Sequence, residues 1–412
     1  MLHSKKFTSL YKMLAALVLA LAGTTQAFAL PSFARQTGDS CDSCHVGAYG
    51  PQLTPHGMKF KLGGYTDSDG KKGHLPLAAM LIDNYTHTSK DQDHSDVGFD
   101  PNNNSVVQEL SVFLAGKLDD HMGSFMQVTH SGVDKVITLD NTEFRYAREA
   151  TFFGQKGVYG LTLNNNPTMQ DPYNTLPAWR FPFTSADLAA APGAAPMLDD
   201  GLGGQVYGLT AYTQMDNGIY AEFGFYRSFT ESILDRVNVG AETELGKSAP
   251  YLRVAYYKDM HKQVYSFGLI SMSADVHDYN ATGPDNKVSD FGVDGHYQYL
   301  GNRKNIMSVD GSYITEKNDF ADINQLNLAG SYYYDKTYGG TVRYFSTTVS
   351  GGDSNGWMLQ ADRTPFGKED SWQAPFANLR VGLQYTLYNE FDGDSANASD
   401  FNTMMAFVWL SI

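Results

Sequence analysis

Alternation of apolar and polar residues along most of this chain is the feature that most constrains its fold. In the segment NLRVGLQYTLYN, residues 378–389, Leu379, Val381 and Leu383 alternate with Arg380 and Gln384. Because successive side chains of a β-strand face opposite sides, this pattern predicts a strand with one apolar and one polar face. A strand of about 10 residues is long enough to cross a membrane at the usual tilt.

A hairpin is predicted over residues 205–228, where Asp216, Asn217 and Gly218 separate two alternating runs. These three residues tolerate the positive φ that a tight hairpin turn requires. The segments YLRVAYYKD, MSVDGSYIT and QLNLAGSYYYD repeat the alternation, and the chain finishes with the apolar run NTMMAFVWLSI. The pattern predicts an all-β fold from residue 77 to residue 412, either a membrane barrel or a soluble sandwich or solenoid.

Composition favours the membrane barrel. The chain has 40 Gly and 26 Tyr, and its mean hydropathy is only −0.34. Barrel strands hide their apolar face by alternation, so an average over the chain misses it. A net charge of −15 argues against nucleic-acid binding, which needs a basic surface. We therefore predict an antiparallel, porin-like outer-membrane barrel over residues 77–412, in contact with outer-membrane lipid.

Residues 1–29 have the pattern of a signal peptide. Lys5, Lys6 and Lys12 precede a short apolar run over residues 13–22, and Ala27 and Ala29 form an A-x-A cleavage signal. The run is too short to span a bilayer as a helix. We predict export from the bacterial cytoplasm and an outer-membrane location.

The only two cysteines, Cys41 and Cys44, lie in the sequence CDSCH and are followed by His45. This C-x-x-C-H spacing is that of covalent c-type haem attachment, with the histidine as the proximal iron ligand. A structural zinc site would need further ligands, and no third cysteine exists. A thioredoxin-like redox pair would need a βαβ context that this segment lacks. The spacing predicts one covalent haem c held by Cys41 and Cys44, with His45 on the iron.

Residues 30–76 are predicted to form a small cytochrome c domain that plugs or caps the barrel. A segment this short cannot bury a core of its own, so the haem would serve as its core. Met58 or His56 could be the distal ligand of the haem iron, and a barrel residue or no residue at all are the alternatives. The longest loop, residues 164–204, is predicted either to fold into the lumen as a constriction or to form flexible surface.

Two segments resemble one family, the iron-oxidising outer-membrane cytochrome–porin fusions. The resemblance covers PSFARQTGDSCDSCHVGAYGPQLTPHGMKFKLGGYT, residues 31–66, and LYNEFDGDSANASDFNTMMAFVWL, residues 387–410. The chain departs from the family pattern at His56 and Met58, and its middle agrees in layout only. The resemblance implies a mono-haem head before one barrel of about 16 strands. It also implies electron transfer from extracellular Fe(II) to a periplasmic electron-carrier cytochrome.

Three other functions stay open at this point. A porin for small solutes could carry the haem domain as a regulator, and its lumen would conduct solutes. A haem peroxidase would need an open iron position with a distal acid–base group, a role that His56 could take. A haem held in the barrel could also carry electrons out of the cell instead of into it. Whether the protein is an enzyme stays open, and an iron-oxidising electron-transfer cytochrome is the oxidoreductase that the resemblance implies.

Overall fold

A computed structural model describes residues 30–152, 154–279, 285–371 and 377–412. The predicted signal peptide, residues 1–29, lies outside the described residues. Within them, seventeen strands follow a short helical segment: β1 (Leu77–Thr88), β2 (Asn104–Lys117), β3 (Met122–Ser131), β4 (Ile137–Phe152), β5 (Gln155–Asn164), β6 (Val206–Met215), β7 (Ile219–Ser228), β8 (Thr243–Leu245), β9 (Ala249–Asp259), β10 (Gln263–Asp278), β11 (Asn286–Tyr299), β12 (Asn305–Lys317), β13 (Ile323–Tyr334), β14 (Tyr338–Thr348), β15 (Ser354–Arg363), β16 (Asn378–Glu390) and β17 (Thr403–Ser411).

Sixteen of these strands close into an antiparallel barrel. Each strand pairs with its neighbours in the chain, and β1 pairs with both β2 and β17, with Met80 opposite Ser411. The short strand β8 only extends the edge beside β10, and β7 pairs directly with β9. The predicted barrel is confirmed, and so is the hairpin of β6 and β7, whose Gly218 has a φ of +96°.

The barrel has a polar interior and an apolar exterior. Arg253 is completely buried, while its strand neighbours Leu252 and Val254 are exposed. The same alternation leaves large apolar residues exposed around the wall, among them Phe223, Phe267, Phe291, Leu359 and Leu383. A water-soluble protein normally buries such residues, so this arrangement suits a hydrocarbon surrounding.

The two ends of the barrel differ. At one end, called here the short-turn end, most connections are brief, as between β6 and β7 or between β13 and β14. At the long-loop end, residues 89–103, 165–205 and 391–402 connect consecutive strands. The N-terminus of β1 and the C-terminus of β17 both lie at the short-turn end.

Residues 30–76, called here the plug, contact the inside of the barrel. They contain the helices α1 (Pro31–Thr37), α2 (Cys41–Cys44) and α3 (Pro55–Leu62) and a 3₁₀ turn at Val46–Ala48. Lumen side chains hold the plug backbone: Gln298 Nε2 donates to the Leu53 carbonyl at 2.7 Å, and Tyr212 OH to the Leu62 carbonyl at 2.5 Å. None of the helices among the described residues is long and apolar enough to cross a membrane.

Residues 165–205, called here the inner loop, cross the lumen. On one side the Asp171 carboxylate lies 3.0 Å from the Arg253 guanidinium of β9. On the other side Gln108 of β2 donates to the Ser185 carbonyl at 2.6 Å, and Gln384 of β16 to the Thr184 carbonyl at 3.2 Å. The loop is predicted either to constrict the lumen or to form flexible surface, and these contacts confirm that it lies in the lumen.

Candidate functional site

A cavity of about 340 Å³ lies between the plug, the inner loop and the barrel wall. Aromatic side chains from all three contribute to its lining: Phe33 and Phe60 from the plug, Trp179 and Phe183 from the inner loop, and Phe113 and Trp409 from the wall. A largely apolar lining of this kind favours an apolar ligand.

Cys44 and His45 belong to the lining of this cavity. Helix α2 places Cys41 and Cys44 on the same face, since residues three apart in a helix are neighbours. The backbone N–H of His45 donates to the Cys41 carbonyl at 2.8 Å and ends the helix. Neither cysteine is in a disulfide. Two sulfur atoms and one imidazole thus come from a single turn beside the cavity.

The packing of α3 against α2 depends on a glycine. A Cβ at Gly57 would lie 2.4 Å from the Cys44 carbonyl oxygen, closer than any real contact. The Thr54 hydroxyl accepts from the Gly57 N–H at 3.3 Å and donates to the Ser43 carbonyl at 2.5 Å, which fixes where α3 begins. The turn with the cysteines is therefore held by direct backbone contact.

Burial favours the neutral form of the His45 imidazole. Burial lowers the pKa of its imidazole to about 4, although the Gly50 and Gln52 carbonyls lie close enough to favour the protonated form. The ring is thus neutral at pH 7, and its buried Nδ1 has no hydrogen-bond partner among the described residues. A neutral imidazole can donate a lone pair to a metal.

The two predicted distal ligands lie elsewhere in the plug, and neither lines the cavity. Met58 is only 1% exposed and packs in an apolar cluster with Tyr212 and Tyr220 of the wall. His56 is half exposed, and its Nε2 lies 2.8 Å from Asp39 Oδ2. The prediction of Met58 or His56 as the distal ligand stays a prediction.

Lys61 connects the plug to the inner loop. Its ammonium donates to the carbonyls of Met169 and Asp171 at 2.7 and 2.8 Å and to Asn174 Oδ1 at 2.8 Å. Complete burial lowers the pKa of Lys61 to about 7, against the opposing effect of nearby carboxylates such as that of Glu143. The inner loop is thereby fastened over the cavity.

Buried ion pairs complete the lumen. Arg253 lies between Asp171 of the inner loop and Asp294 of β11, at 3.0 and 2.8 Å. Arg145 pairs with Glu143 at 2.6 Å, and Tyr65 of the plug donates to the same carboxylate at 2.6 Å. Such groups are stable away from water only when paired and hydrogen-bonded.

Sequence reasoning missed the residues of the inner loop that close the cavity. The signal that could have found them is the stretch PAWRFPF, residues 177–183, which is unusually aromatic for a connecting loop. It also missed the polar end of the cavity, where Glu109, Gln127 and Asp140 of the wall belong to the lining. These three come from separate strands, so no local pattern brings them together.

No protein-family model matches the sequence, and no curated protein matches it. Among solved structures, OmpF of Salmonella typhi in complex with daunomycin is 11% identical over 82% of this chain and 97% of that chain, with a TM-score of 0.49. The anion-selective porin from Comamonas acidovorans is 13% identical over 81% and 98%, with a TM-score of 0.48. The outer-membrane channel DcaP of Acinetobacter baumannii is 10% identical over 82% and 96%, with a TM-score of 0.45. The chain is a closed sixteen-stranded antiparallel barrel that resembles outer-membrane porins.

Proposed function

We propose that this protein is an outer-membrane electron-transfer barrel that holds one covalent haem c in its lumen. The observation that carries the proposal is the place of the CDSCH turn: Cys44 and His45 line a largely apolar cavity inside the barrel, with several aromatic side chains in its lining. A solute pore would gain nothing from such a cavity, whereas a redox group needs shielding from water.

The residues present fit haem c. Cys41 and Cys44 would hold it covalently, and the neutral imidazole of His45 would ligate the iron. When bound, haem c supplies one-electron redox chemistry. The chain's own part is to exclude water with Trp179, Phe183 and the other aromatic residues of the lining and to supply the axial ligand. Met58 or His56 is kept as the distal ligand in this proposal.

An outer-membrane location is supported by the apolar exterior of the wall and by the predicted signal peptide. In outer-membrane barrels, short turns face the periplasm and long loops face the outside. The plug precedes β1 at the short-turn end, so in this proposal it faces the periplasm. The inner loop, which contacts the plug through Lys61 and Asn174, would then face the outside.

The donor and the acceptor are proposed from the family resemblance of residues 31–66 and 387–410. Extracellular Fe(II) would give up one electron, and a soluble periplasmic cytochrome would accept it. Because only the electron would pass through the lumen of the barrel, the ferric products would stay outside the cell. The location of the plug at the proposed periplasmic end supports this direction, because a periplasmic partner could reach it there.

The decisive experiment mixes Fe(II) anaerobically with the oxidised protein purified from outer membranes. We expect the reduced α-band to grow within the mixing experiment and to be absent in Cys44→Ala and His45→Ala. His74→Ala is the matched control, because His74 pairs with Asp69 away from the cavity. A haem that dithionite reduces but Fe(II) does not would refute Fe(II) as the donor.

A porin for small solutes is the second candidate, and the resemblance of the barrel to porins and channels favours it. It predicts solute flux through the full chain that persists when Cys41 and Cys44 are both replaced by alanine. The plug and the inner loop occupy the lumen, so we expect little flux instead. Flux at the level of an open porin, unchanged by loss of the haem, would establish the porin function.

A further inference from the structure

At the edge of the cavity, three side chains of the plug bring their metal-binding atoms together. A carboxylate oxygen of Asp39, the Sγ of Cys44 and a ring nitrogen of His56 all lie within 4.8 Å of one another. No other set of three or more His, Cys, Asp or Glu side chains in the described part of the chain meets this distance. The set combines sulfur, nitrogen and oxygen donors.

The fold assembles this set from three separate turns. Gly38 ends α1 in the left-handed region, with a φ of +79°, and turns the chain so that Asp39 precedes α2. Cys44 ends α2, and the close contact of Gly57 with its carbonyl brings the first turn of α3, and with it His56, over the same place. The assembly is therefore a consequence of backbone packing.

The site is open on one side. The side chains of His56 and Asp39 are 50% and 36% exposed, so water can complete the coordination of a bound ion. Their present contact is a hydrogen bond of 2.8 Å between His56 Nε2 and Asp39 Oδ2. A metal ion would take the place of the shared proton.

We propose that in the haem-free chain Asp39, Cys44 and His56 bind a divalent transition-metal ion of the Zn²⁺ class. Zn²⁺ accepts thiolate, imidazole and carboxylate ligands at about 2.0–2.3 Å and often keeps a water as its fourth ligand. Binding releases the thiol proton of Cys44 to solvent and forms the metal–sulfur bond, with no change of oxidation state. The sequence argued against zinc because no third cysteine exists, but the fold supplies Asp39 and His56 instead.

This site and haem attachment exclude each other. The proposed function needs the Cys44 sulfur for a thioether bond, and a thioether no longer offers a thiolate to a metal ion. A bound ion would therefore protect Cys44 in the newly exported chain and would have to leave before haem is attached. This consequence, unlike the site itself, rests on the proposed function.

The test uses the folded, haem-free full chain under anaerobic, reducing conditions, with Co²⁺ as the probe. We expect a thiolate-to-cobalt charge-transfer band that one equivalent of Zn²⁺ abolishes. The band should vanish in Cys44→Ala, and the Co²⁺ affinity should fall at least about tenfold in His56→Ala and Asp39→Asn. Folding of each variant is checked by the heat-modifiable gel mobility of the barrel.

Two control variants separate the triad from simpler explanations. His74→Ala removes a similar histidine–aspartate pair that has no cysteine beside it, and it should leave the band unchanged. Cys41→Ala should also keep the band. Loss of the band in Cys41→Ala but not in His56→Ala would show C-x-x-C chelation and overturn the triad.

A second measurement separates this proposal from the proposed function. Haem attachment to the haem-free chain is followed with and without bound Zn²⁺, and we expect Zn²⁺ to slow it. A Co²⁺ band in a chain that never accepts haem would leave the metal site standing and refute the cytochrome. Haem attachment in a chain that shows no Co²⁺ band would leave the cytochrome standing and refute the metal site.

Discussion

At the scale of single residues, Lys61 fastens the inner loop over the cavity. It satisfies three acceptors of the inner loop from a buried position. We expect Lys61→Met to lower the free energy of unfolding by about 2–3 kcal/mol, because buried acceptors without a donor are costly. Urea unfolding in detergent micelles measures this. Lys59→Met, an exposed change on the same helix, should have almost no effect.

Lys61 also gives the stability a pH dependence. Burial lowers its pKa to about 7 from a usual value of 10.5. Between these two values the unfolded chain holds a proton that the folded protein has released, so the free energy of unfolding rises with pH across this window. Unfolding of the wild type and of Lys61→Met at pH 7 and pH 9.5 measures the contribution. The rise should be smaller in the variant, and equal slopes would show that Lys61 does not titrate there.

At this scale, the sequence could predict a shared role only for residues that lie close together along the chain. Cys41, Cys44 and His45 are contiguous, so their spacing alone indicated their common role. His56 and Asp39 are brought together only by the packing of α3 on α2, and no local pattern contains that contact. For the same reason, the sequence proposed His56 and Met58 together as distal ligands although their side chains have different surroundings.

At the scale of structural elements, Gly47 determines how the plug fits the wall. Its φ is +69°, and a Cβ there would lie 2.3 Å from the Tyr333 ring. We expect Gly47→Val to displace the plug and raise ion conductance in planar bilayers. The stability loss should exceed that of the control Gly70→Val by about 1–3 kcal/mol, the usual cost of overpacking. Gly70 has a φ of +79° but open space around it, so the two changes share the backbone strain. Equal conductance in both variants would contradict this account.

The strands could be predicted, but the direction of the inner loop could not. Alternation is a local property, and it correctly gave β16 and the hairpin of β6 and β7. The inner loop is held by partners far along the chain, such as Arg253 for Asp171 and Asp294 for Thr175. A polar, aromatic loop of this length is compatible with either surface or lumen until those partners are placed.

At the scale of the whole molecule, the barrel has polar residues inside and apolar residues outside, the opposite of a soluble protein. Its buried residues include Arg145, Arg253 and Arg380, and its wall exposes leucine, valine and phenylalanine to the surroundings. Such an arrangement is stable only if hydrocarbon covers the wall, because exposed apolar area of this extent would drive aggregation in water.

The location in a membrane can be tested by placing one charge on the wall. Leu383, in the middle of β16, is 58% exposed, and Leu383→Arg would bring a guanidinium into hydrocarbon. We expect the free energy of unfolding in lipid vesicles to fall by about 2–4 kcal/mol, the cost measured for arginine near the bilayer midplane.

The control for this test is Phe320→Arg. Phe320 is 85% exposed in the connection between β12 and β13 at the long-loop end, so its replacement should cost almost nothing. Both variants add the same charge to the same barrel, and only the surroundings of the residue differ. Equal and small effects would mean that water surrounds the wall, and the membrane location would then be wrong. A large effect confined to Leu383→Arg would show that the exposed apolar face of β16 lies against lipid.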